Sequence, residues 1–464
     1  MTGAEQVVVI GGGISGLACA VRLQQIGVPV TLLESDNHAG GLIGTVEKDG
    51  FLFESGPQSF LGTPTLLELI RELGIEGELR KADPRLPRYV LRHGRLREIG
   101  MTPQAILTTS LLGAGTKWKI ISEPFRRTKP PSEDESIADF VRRKFGHEIL
   151  EYLVAPFVSG VYAGDPEKLS LRAAFPSLEE WEREYGSVLR GAMKSRPSKS
   201  AATETASKGP PPLCSFRRGL STLTRAMAAR LGGNARAGAH VGSLARAEAG
   251  AGASYQIHLV QEGREETIVA DQVVIATPAY VAGRLVTGIP AAPAHALSGI
   301  AYAGVAVVAS GYYGQQARDA LNGFGVLIPR SEKHRTLGIV WNSSLFPGRA
   351  PSGQFTITSF AGGATDPEMA DRPEEEIAAI VEADHAKILG ITGQPVALSV
   401  WRHPKALPQY NLGHGHVVRA IRECERATPG LYFAGNYIEG PSIGKCVERA
   451  FETADAIRDS LQRR

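Results

Sequence analysis

The stretch Val7-Val8-Val9-Ile10-Gly11-Gly12-Gly13-Ile14-Ser15-Gly16 lies near the start of the chain and decides its fold. A run of four apolar residues ends in a turn with glycines at its first, third and sixth positions, and a segment with helical spacing follows. Gly11 permits a sharp turn, Gly13 lets the backbone approach a diphosphate, and Gly16 lets the helix pack against the strand. Unpaired amides at the helix N-terminus favour a phosphate group. The stretch therefore predicts a strand–turn–helix unit that binds a dinucleotide.

A second apolar strand at residues 30–33 supports this prediction, because it ends on Glu34. Glu34 stands 23 positions after Gly11, where a carboxylate accepts hydrogen bonds from ribose hydroxyls. A glycine-rich turn without a ligand is the alternative. Strand, turn, helix, second strand and acid together favour a bound adenine dinucleotide over that alternative.

The composition excludes several classes of protein. The length of 464 residues suggests about three domain-sized units. The 51 basic and 48 acidic residues give a net charge of +3, which is too small to indicate binding to nucleic acid. The four scattered cysteines, Cys19, Cys214, Cys424 and Cys446, predict buried thiols in a reducing compartment. The first strand begins too early for a signal peptide, and no apolar window approaches about 18 residues. We therefore expect a cytoplasmic protein, either soluble or peripheral at the inner face of the membrane.

The order of the segments predicts an α/β protein with interleaved domains. Runs at residues 305–308, 325–328, 337–341 and 355–358 are typical of a mainly antiparallel sheet, and residues 374–389 are typical of a helix that packs on it. We predict a Rossmann-type nucleotide domain (1–84, 214–290 and 398–464), an α+β substrate domain (85–101 and 291–397), a helical subdomain (102–193) and a flexible loop (194–213).

Glycine-rich segments elsewhere in the chain select FAD over NAD as the dinucleotide. The Gly40-Gly41 pair follows the ribose-binding acid, and a buried strand near the C-terminus ends at Ala434-Gly435-Asn436. The next turn, Gly440-Pro441-Ser442-Ile443, leads into a helix whose N-terminus would face the ligand. The partial positive charge of that N-terminus suits the anionic side of a reduced flavin. Together with the strand end at residues 274–278, these features predict FAD.

Arg88 is the candidate substrate ligand within a basic stretch from Arg80 to Arg97. A solvated charged face is the alternative reading of this stretch. However, residues 87–91 resemble a strand, which would hold the arginine in place, and a planar guanidinium suits a carboxylate. The glycines of residues 158–166 predict a loop that admits a ligand to its backbone.

A second basic segment, at residues 117–129, leaves two readings open. Basic side chains alternate there with aromatic and aliphatic ones, which suits contact with an anionic bilayer. The alternative is an ordinary helix that packs on its neighbour. The members are Lys117, Trp118, Lys119, Ile120, Ile121, Phe125, Arg126, Arg127 and Lys129.

No side chain is predicted to act as a catalytic acid, base or nucleophile. His414-Gly415-His416 lacks a third metal ligand, so we predict no metal site. The absence of hydrolase motifs leaves the chemistry to the flavin.

Four internal strings carry a resemblance to a known family. They are Gly56-Pro57-Gln58-Ser59-Phe60, residues 160–165, Gly323-Phe324-Gly325 and residues 408–414. With the fingerprint above, the chain resembles the protoporphyrinogen oxidases, the porphyrinogen oxidase branch of the amine-oxidase-type flavoprotein superfamily. It departs from the family at Gln58, where some members have arginine, and at Asn436, where many superfamily members have aspartate.

The resemblance implies specific contacts for the cofactor and the substrate. The implied FAD contacts are Gly11, Gly12, Gly13, Ile14, Ser15, Gly16, Glu34, Gly41, Leu42, Gly56, Pro57, Gln58, Ser59, Val241, Asn436, Pro441, Ser442 and Ile443. The implied substrate contacts are Arg88, Phe157, Gly160, Phe324, Leu327 and Phe360.

The implied activity is FAD-dependent oxidation of protoporphyrinogen IX to protoporphyrin IX in haem biosynthesis. Six electrons would leave in three two-electron steps, with dioxygen as acceptor and hydrogen peroxide as product. Oxidation of coproporphyrinogen III is the nearest alternative, and an amine oxidase or carotenoid desaturase is a more distant one. A non-catalytic flavoprotein or haem-delivery partner belongs to another class. The expected partners are the porphyrinogen, dioxygen, a membrane surface and a transfer partner in the haem pathway, with no nucleic acid.

Overall fold

The computed structural model describes residues 6–100, 105, 108–126, 131, 133–194, 211–246, 255–289 and 293–463. Their strands are β1 (Val7–Ile10), β2 (Val30–Leu33), β3 (Thr45–Lys48), β4 (Phe51–Glu54), β5 (Phe60–Leu61), β6 (Leu79–Lys81), β7 (Arg88–Arg92), β8 (Arg95–Glu98), β9 (Leu213–Phe216), β10 (Ala235–Arg236), β11 (Ala239–Arg246), β12 (Tyr255–Gln261), β13 (Arg264–Ala270), β14 (Gln272–Ile275), β15 (Tyr302–Tyr313), β16 (Gly325–Leu327), β17 (Thr336–Val340), β18 (Gln354–Gly362), β19 (Ala397–Pro408) and β20 (Leu431–Phe433).

The helices of the same residues are α1 (Ile14–Gln25), α2 (Pro64–Glu72), α3 (Ala114–Ser122), α4 (Ile137–Lys144), α5 (His147–Ile149), α6 (Ala155–Tyr162), α7 (Leu171–Ala174), α8 (Pro176–Tyr185), α9 (Val188–Lys194), α10 (Ser221–Leu231), α11 (Ala279–Leu285), α12 (Ala294–Ser298), α13 (Asn342–Leu345), α14 (Glu374–Leu389), α15 (His414–Ala427) and α16 (Ile443–Gln462).

The N-terminal motif forms the centre of a parallel sheet, as the sequence predicts. Five strands lie in the order β10-β2-β1-β14-β20, and each neighbouring pair is parallel. Helices α1, α10 and α16 pack on one face through residues such as Leu17, Leu223 and Val447. The sheet β11-β12-β13 and helix α11 cover the other face. All four residues of β1 are buried because both faces of the sheet are covered.

A second, larger sheet has the order β19-β15-β18-β17-β16-β7-β8. Its neighbours are antiparallel except for β16 and β7, which run parallel. Helix α14 packs on one face, where Ile377 and Val381 meet Ala306 and Val308. The helical region from α4 to α9 packs against the other face around Val90 and Leu327. This sheet and α14 confirm the predicted antiparallel sheet with its helix.

Two predicted features differ from the structure. Residues 158–162 are not a loop, because they complete α6, and the chain leaves that helix only at Ala163, whose φ of 47° is left-handed. The predicted third segment of the nucleotide domain begins at residue 398, yet residues 397–408 form β19 and pair with β15 in the larger sheet. An alternating strand carries no signal that distinguishes one sheet from another.

The predicted flexible loop and membrane segment lie partly outside the described residues. Residues 195–210 of the loop are outside them, while Lys194 ends α9 and Leu213 begins β9. Arg127 and Lys129 of the basic segment are also outside them. Among the helices of the described residues, none combines the length and the apolar character that crossing a bilayer requires.

Candidate functional site

The turn between β1 and α1 depends on two of its glycines. Gly11 has a φ of +107°, and a Cβ there would lie 2.9 Å from the carbonyl carbon of Ala276 on the neighbouring strand end. A Cβ on Gly16 would lie 1.8 Å from the carbonyl oxygen of Gly11. Any larger residue would push the helix away from the turn, so these two positions require glycine for backbone reasons.

Gly13 differs from them because the space beside it is open. A Cβ at Gly13 would meet no atom within 4 Å. Among the described residues, the amides of Ile14, Ser15 and Gly16 have no hydrogen-bond acceptor in the protein. An open side next to unpaired amides at a helix N-terminus fits a diphosphate. The residues present therefore fit the dinucleotide that the motif predicts.

Glu34 closes this turn from the end of β2. Its side chain is only 8% exposed. One carboxylate oxygen accepts from the Gly12 amide at 2.5 Å, and the other accepts from the Asp36 amide at 2.8 Å. The Glu34 backbone carbonyl accepts from Ala239 at 2.8 Å, which places Val241, two residues further along β11, near this acid. Glu34 thus orders the turn and still has carboxylate lone pairs for ribose hydroxyls.

The second glycine pair lies against the first. The Gly40 amide donates to the Gly12 carbonyl at 2.8 Å, and a Cβ on Gly41 would lie 3.2 Å from the Gly13 Cα. A Cβ on Gly56 would lie 2.1 Å from the Leu42 carbonyl oxygen. The structure therefore brings residues 11–16, Gly41, Leu42 and Gly56 together, although they come from three separate parts of the chain.

Gln58 is committed to contacts within the protein. Its amide nitrogen donates to the Gly56 carbonyl at 2.7 Å, and its amide oxygen accepts from Asn342 at 2.7 Å. The side chain is buried. These two hydrogen bonds hold the turn formed by residues 56–59 in place.

The C-terminal helix directs its N-terminus toward that of α1. Ser442 caps α16 by accepting from the Lys445 amide at 3.3 Å. The Cys446 thiol in the first turn of α16 interacts with the Ser15 side chain, while burial raises the pKa of that thiol to about 11. Two helix N-termini therefore converge, and their partial positive charges add at one place.

Two threonines that the sequence analysis missed line this region. The hydroxyls of Thr63 and Thr277 are buried and have no hydrogen-bond partner within the described chain. Thr277 lies beside the Gly11 turn, and Thr63 lies beside Gly444 of α16. Buried polar atoms normally have partners, but neither hydroxyl oxygen is accessible at the protein surface, so the two threonines do not by themselves mark a ligand contact. In the sequence, Thr277 could have been noticed because it stands at the end of a strand. Thr63 gives no such signal, since it resembles an ordinary helix N-cap before Pro64.

The larger sheet presents a row of side chains on the face that meets the helical region. Leu327 pairs with Val90 on one side and with Gly338 on the other, and Gly338 pairs with Phe360. Partners in register project to the same face of a sheet. Leu327 and Phe360 therefore flank a position without a side chain, and we call this part of the sheet face, formed by Leu327, Gly338 and Phe360, the recess. Gly338 is not among the substrate contacts predicted from the sequence.

Helix α6 lies over one end of this recess. A Cβ on Gly160 would lie 2.8 Å from Cδ2 of Leu327, so helix and sheet are in close contact here and a larger residue would clash unless Leu327 moved. Phe157 and Val161 share the exposed face of α6 with Gly160 and are 45% and 43% exposed. The predicted substrate contacts Gly160, Leu327 and Phe360 are thus close together, with Phe157 on the adjoining helix face.

Arg88 begins β7 on the same face of the sheet as Val90. Its guanidinium lies 5.2 Å from the ring centre of Phe324. This cation–π contact stabilises the guanidinium and leaves its charge available for a carboxylate. Arg97 lies directly opposite Val90 on β8 and therefore projects to that face as well. Neither arginine forms an ion pair with any described residue, whereas Arg92 binds Glu148 at 3.0 Å. The structure thus places on this face two arginines that have no ion-pair partner among the described residues.

The His414 ring binds the backbone of the turn before α16. One ring nitrogen lies 2.9 Å from the Tyr437 carbonyl oxygen, and burial lowers the pKa of the imidazole. No group of three or more metal-ligating side chains occurs among the described residues.

The fold and the site point to a class of protein, the flavin-dependent oxidoreductases. Residues 14–458 match the family described as flavin containing amine oxidoreductase. A chloroplastic protoporphyrinogen oxidase from Nicotiana tabacum is 34% identical over 98% of this chain and 86% of its own length. A coproporphyrinogen III oxidase from Bacillus subtilis is 30% identical over 99% of this chain and 98% of its own.

Solved structures agree on the fold. A protein from Exiguobacterium sp. 255-15, provisionally assigned as a protoporphyrinogen oxidase, has a TM-score of 0.81 at 23% identity, with all of both chains covered. The chain therefore belongs to the flavin-containing amine oxidoreductase family and is a FAD-dependent oxidoreductase. The family resemblance, the fold class and the FAD cofactor predicted from the sequence are confirmed.

Proposed function

We propose that this protein oxidises protoporphyrinogen IX to protoporphyrin IX in haem biosynthesis. The observation that carries the proposal is one face of the larger sheet, where Gly338 lies between Leu327 and Phe360 and where Arg88 and Arg97 have no ion-pair partner among the described residues. A porphyrinogen is a broad, mostly apolar ring system, and protoporphyrinogen carries two propionates. The names of the N. tabacum and B. subtilis relatives support the same substrate class.

Each part of the recess has a defined task in this proposal. Arg88 and Arg97 bind the propionates, because a guanidinium forms paired, charge-assisted hydrogen bonds with a carboxylate. Arg97 on β8 lies diagonally across from Arg88 on the paired strand β7, and such diagonal neighbours have Cα atoms about 7–8 Å apart. Gly160 and Gly338 place no side chain between the ring and the protein backbone, and Phe157 and Phe360 exclude water from the edges of the ring. FAD, when bound, supplies the oxidising ring.

The proposed stoichiometry balances without a catalytic side chain. Six hydrogens leave the porphyrinogen as three hydride–proton pairs, and three dioxygen molecules become three molecules of hydrogen peroxide. The role of the protein is to hold the macrocycle in a fixed orientation, which by itself lowers the barrier of a reaction between two bound groups. We assign no general base.

Coproporphyrinogen III is the second candidate substrate, and the B. subtilis relative favours it. Its four propionates need cations on more than one edge of the ring. A paired assay distinguishes the two substrates: the holoprotein is mixed with each porphyrinogen in air, and porphyrin fluorescence and peroxide are measured. We expect the larger kcat/KM with protoporphyrinogen IX. A larger kcat/KM with coproporphyrinogen III would reverse the assignment, and no porphyrin from either would refute both.

We further propose a peripheral membrane contact from the cytoplasmic side, formed by helix α3 and the turn after it. Trp118 and Ile121 of α3 are 68% and 47% exposed, and Phe125 in the turn after the helix is 80% exposed. Lys117 and Arg126 flank them. Exposed aromatic side chains beside basic residues suit the interface of an anionic bilayer.

Co-sedimentation with vesicles that contain anionic lipid tests this contact. The double variant Trp118→Ser/Phe125→Ser should lose binding, whereas Val269→Ser, an equally simple change at a site 56% exposed on β13, should retain it. Absence of vesicle binding by the unmodified protein at low salt would end the proposal. A membrane-bound enzyme would also be positioned to pass its product to a partner in the haem pathway.

A further inference from the structure

The hairpin formed by β3 and β4 connects the glycine turn of residues 11–16 to the larger sheet, and the proposed function leaves it without a role. At its base the Ser55 amide donates to the Gly44 carbonyl at 2.8 Å. Just before the hairpin, Gly41 lies so close to the turn that a Cβ on it would be 3.2 Å from the Gly13 Cα. The base of the hairpin is therefore continuous with the backbone that surrounds the turn.

The other end of the hairpin packs on two strands of the larger sheet. Phe51 lies against Gly311 of β15, where a Cβ would be 2.5 Å from the Phe51 ring. His403 of β19 places its Nε2 atom 2.8 Å from the Ser55 carbonyl oxygen. A carbonyl can only accept a hydrogen bond, so the imidazole is the donor. The hairpin thus contacts both of the structures that the proposed reaction must bring together.

A buried ion pair holds the end of the hairpin to the segment that precedes β18. Glu54 and Arg349 are 1% and 2% exposed, and Nη1 of Arg349 lies 2.8 Å from the Glu54 carboxylate. The second terminal nitrogen of Arg349 donates to the Ser215 hydroxyl at 2.6 Å. Glu54 also accepts from the Thr45 hydroxyl at 2.6 Å and from the Leu220 amide at 2.9 Å. Both charges therefore have several partners from separate parts of the chain.

This ion pair contributes more to a fixed geometry than to stability. Taking two charges out of water costs about as much as their attraction returns, so the net gain in stability is small. The planar guanidinium of Arg349, however, donates in a rigid fork and satisfies its partners in only one orientation. A shift of the larger sheet would leave Glu54 buried without its cation, and burial already raises the pKa of that carboxyl while Arg349 opposes the rise. The pair therefore resists rotation of the sheet relative to the hairpin.

We infer that Arg349 and His403 are positioning residues: through the hairpin they hold the substrate face of the larger sheet in one orientation relative to the glycine turn that binds FAD. Two bound reactants need a fixed separation, and a displacement of roughly 1 Å can cost about 100-fold in rate. This catalytic consequence rests on the proposed function. The orientation itself does not depend on which substrate is oxidised.

The test measures the orientation of the two sheets in the FAD-loaded protein with a pair of spin labels and without porphyrinogen. The labels are attached at Ala229→Cys on α10 and Ala379→Cys on α14, two exposed helix positions, one beside each sheet. The native cysteines are buried, so the labels react at the new sites. The distribution of distances between the labels is compared with and without Arg349→Met.

The matched control is Arg449→Met. Arg449 is 7% exposed and donates to Glu425 at 2.9 Å and to the Phe433 carbonyl at 3.3 Å, so its ion pair is similarly buried but lies wholly beside the parallel sheet. Both variants should lose thermal stability. We expect only Arg349→Met to broaden or shift the distance distribution. With porphyrinogen at saturation, it alone should also slow flavin reduction, by about 10-fold or more.

An unchanged distribution in Arg349→Met, or the same change in Arg449→Met, overturns the inference. If Arg349→Met yields no folded holoprotein, a second pair decides, because His403→Gln keeps an N–H donor and His403→Leu removes it. A broader distribution in His403→Leu alone supports the inference, and equal distributions in the two overturn it. If the unmodified protein oxidises no porphyrinogen, the proposed function fails, while the spin-label result still decides the inference.

Discussion

The two large sheets build their functional surfaces from different parts of the chain. Around the five-stranded parallel sheet the site consists of backbone, with glycines, unpaired amides and two helix N-termini. Around the seven-stranded sheet it consists of side chains, with Arg88, Arg97, Leu327 and Phe360 on one face. A site built from backbone should lose its ligand when a substitution adds side-chain atoms. A site built from side chains should lose its ligand when a substitution removes them.

The largest effect should come from adding one carbon to the backbone site. In Gly16→Ala the new methyl group would lie 1.8 Å from the Gly11 carbonyl oxygen, so the backbone must shift. We expect loss of bound flavin and a destabilisation of about 3 kcal/mol or more. Flavin content after purification and the midpoint of chemical unfolding measure both.

Two further glycine variants separate the fold from the cofactor. Gly77→Ala should behave like the unmodified protein, since a Cβ there meets nothing within 4 Å and lies away from the site. Gly13→Ala also meets no protein atom, and we expect it to fold normally and bind FAD weakly. Normal flavin content in Gly16→Ala would show that the turn is not the phosphate site.

A smaller effect should follow from removing a charge on the substrate side. Arg88→Met keeps the aliphatic stem but loses the guanidinium, and hydrogen bonds to charged groups contribute about 1.5–3 kcal/mol. We expect KM for the porphyrinogen to rise by roughly 10- to 150-fold, with flavin content and spectrum unchanged. Steady-state kinetics measures the change.

The matched control is Arg85→Met, because Arg85 is 87% exposed and binds Asp83 at 2.7 Å. It should leave KM within about twofold, as expected for a solvent-exposed ion pair. If the two variants gave the same KM, the basic stretch would attract the substrate only through its overall positive charge, and Arg88 would have no specific contact.

The smallest effect concerns acid sensitivity of the seven-stranded sheet. His385 of α14 is buried between the Tyr312 hydroxyl and the Ser359 hydroxyl. Burial lowers its pKa to about 4, and the nearby Asp384 only partly offsets this. The unfolded chain takes up a proton near pH 6.5 while the folded chain does not, so stability is lost as the pH falls from about 6.5 toward 4.

This loss amounts to about 2 kcal/mol between pH 8 and pH 5. Urea unfolding at the two pH values measures it. His385→Gln, which keeps hydrogen-bonding capacity and does not titrate, should reduce the difference by about that amount. An unchanged difference would place the acid sensitivity in other groups.

The same contrast explains how much the sequence could predict. The parallel sheet, the glycine turn and Glu34 were predictable because the requirements are local: consecutive residues supply strand, turn and helix. The seven-stranded sheet and α14 also followed from periodicity. Arg88 was found partly by family resemblance, since a basic stretch alone does not say which arginines remain unpaired.

What escaped the sequence depends on pairing between distant strands. Gly338 matters only because it lies between Leu327 and Phe360, and Arg97 matters only because it pairs with Val90. The helical form of residues 158–162 was missed because glycine and small residues favour loops, whereas packing on Leu327 requires a glycine within the helix. The individual cofactor and substrate contacts remain predictions.

The most direct test of the central claim is anaerobic mixing of the FAD-loaded protein with protoporphyrinogen IX. The account predicts that the visible absorption band of the flavin bleaches as substrate is oxidised, and that admitting air restores the band and releases porphyrin fluorescence and peroxide. In Arg88→Met the bleaching should require a higher substrate concentration and still occur. A flavin band that stays unbleached at saturating porphyrinogen would contradict the account.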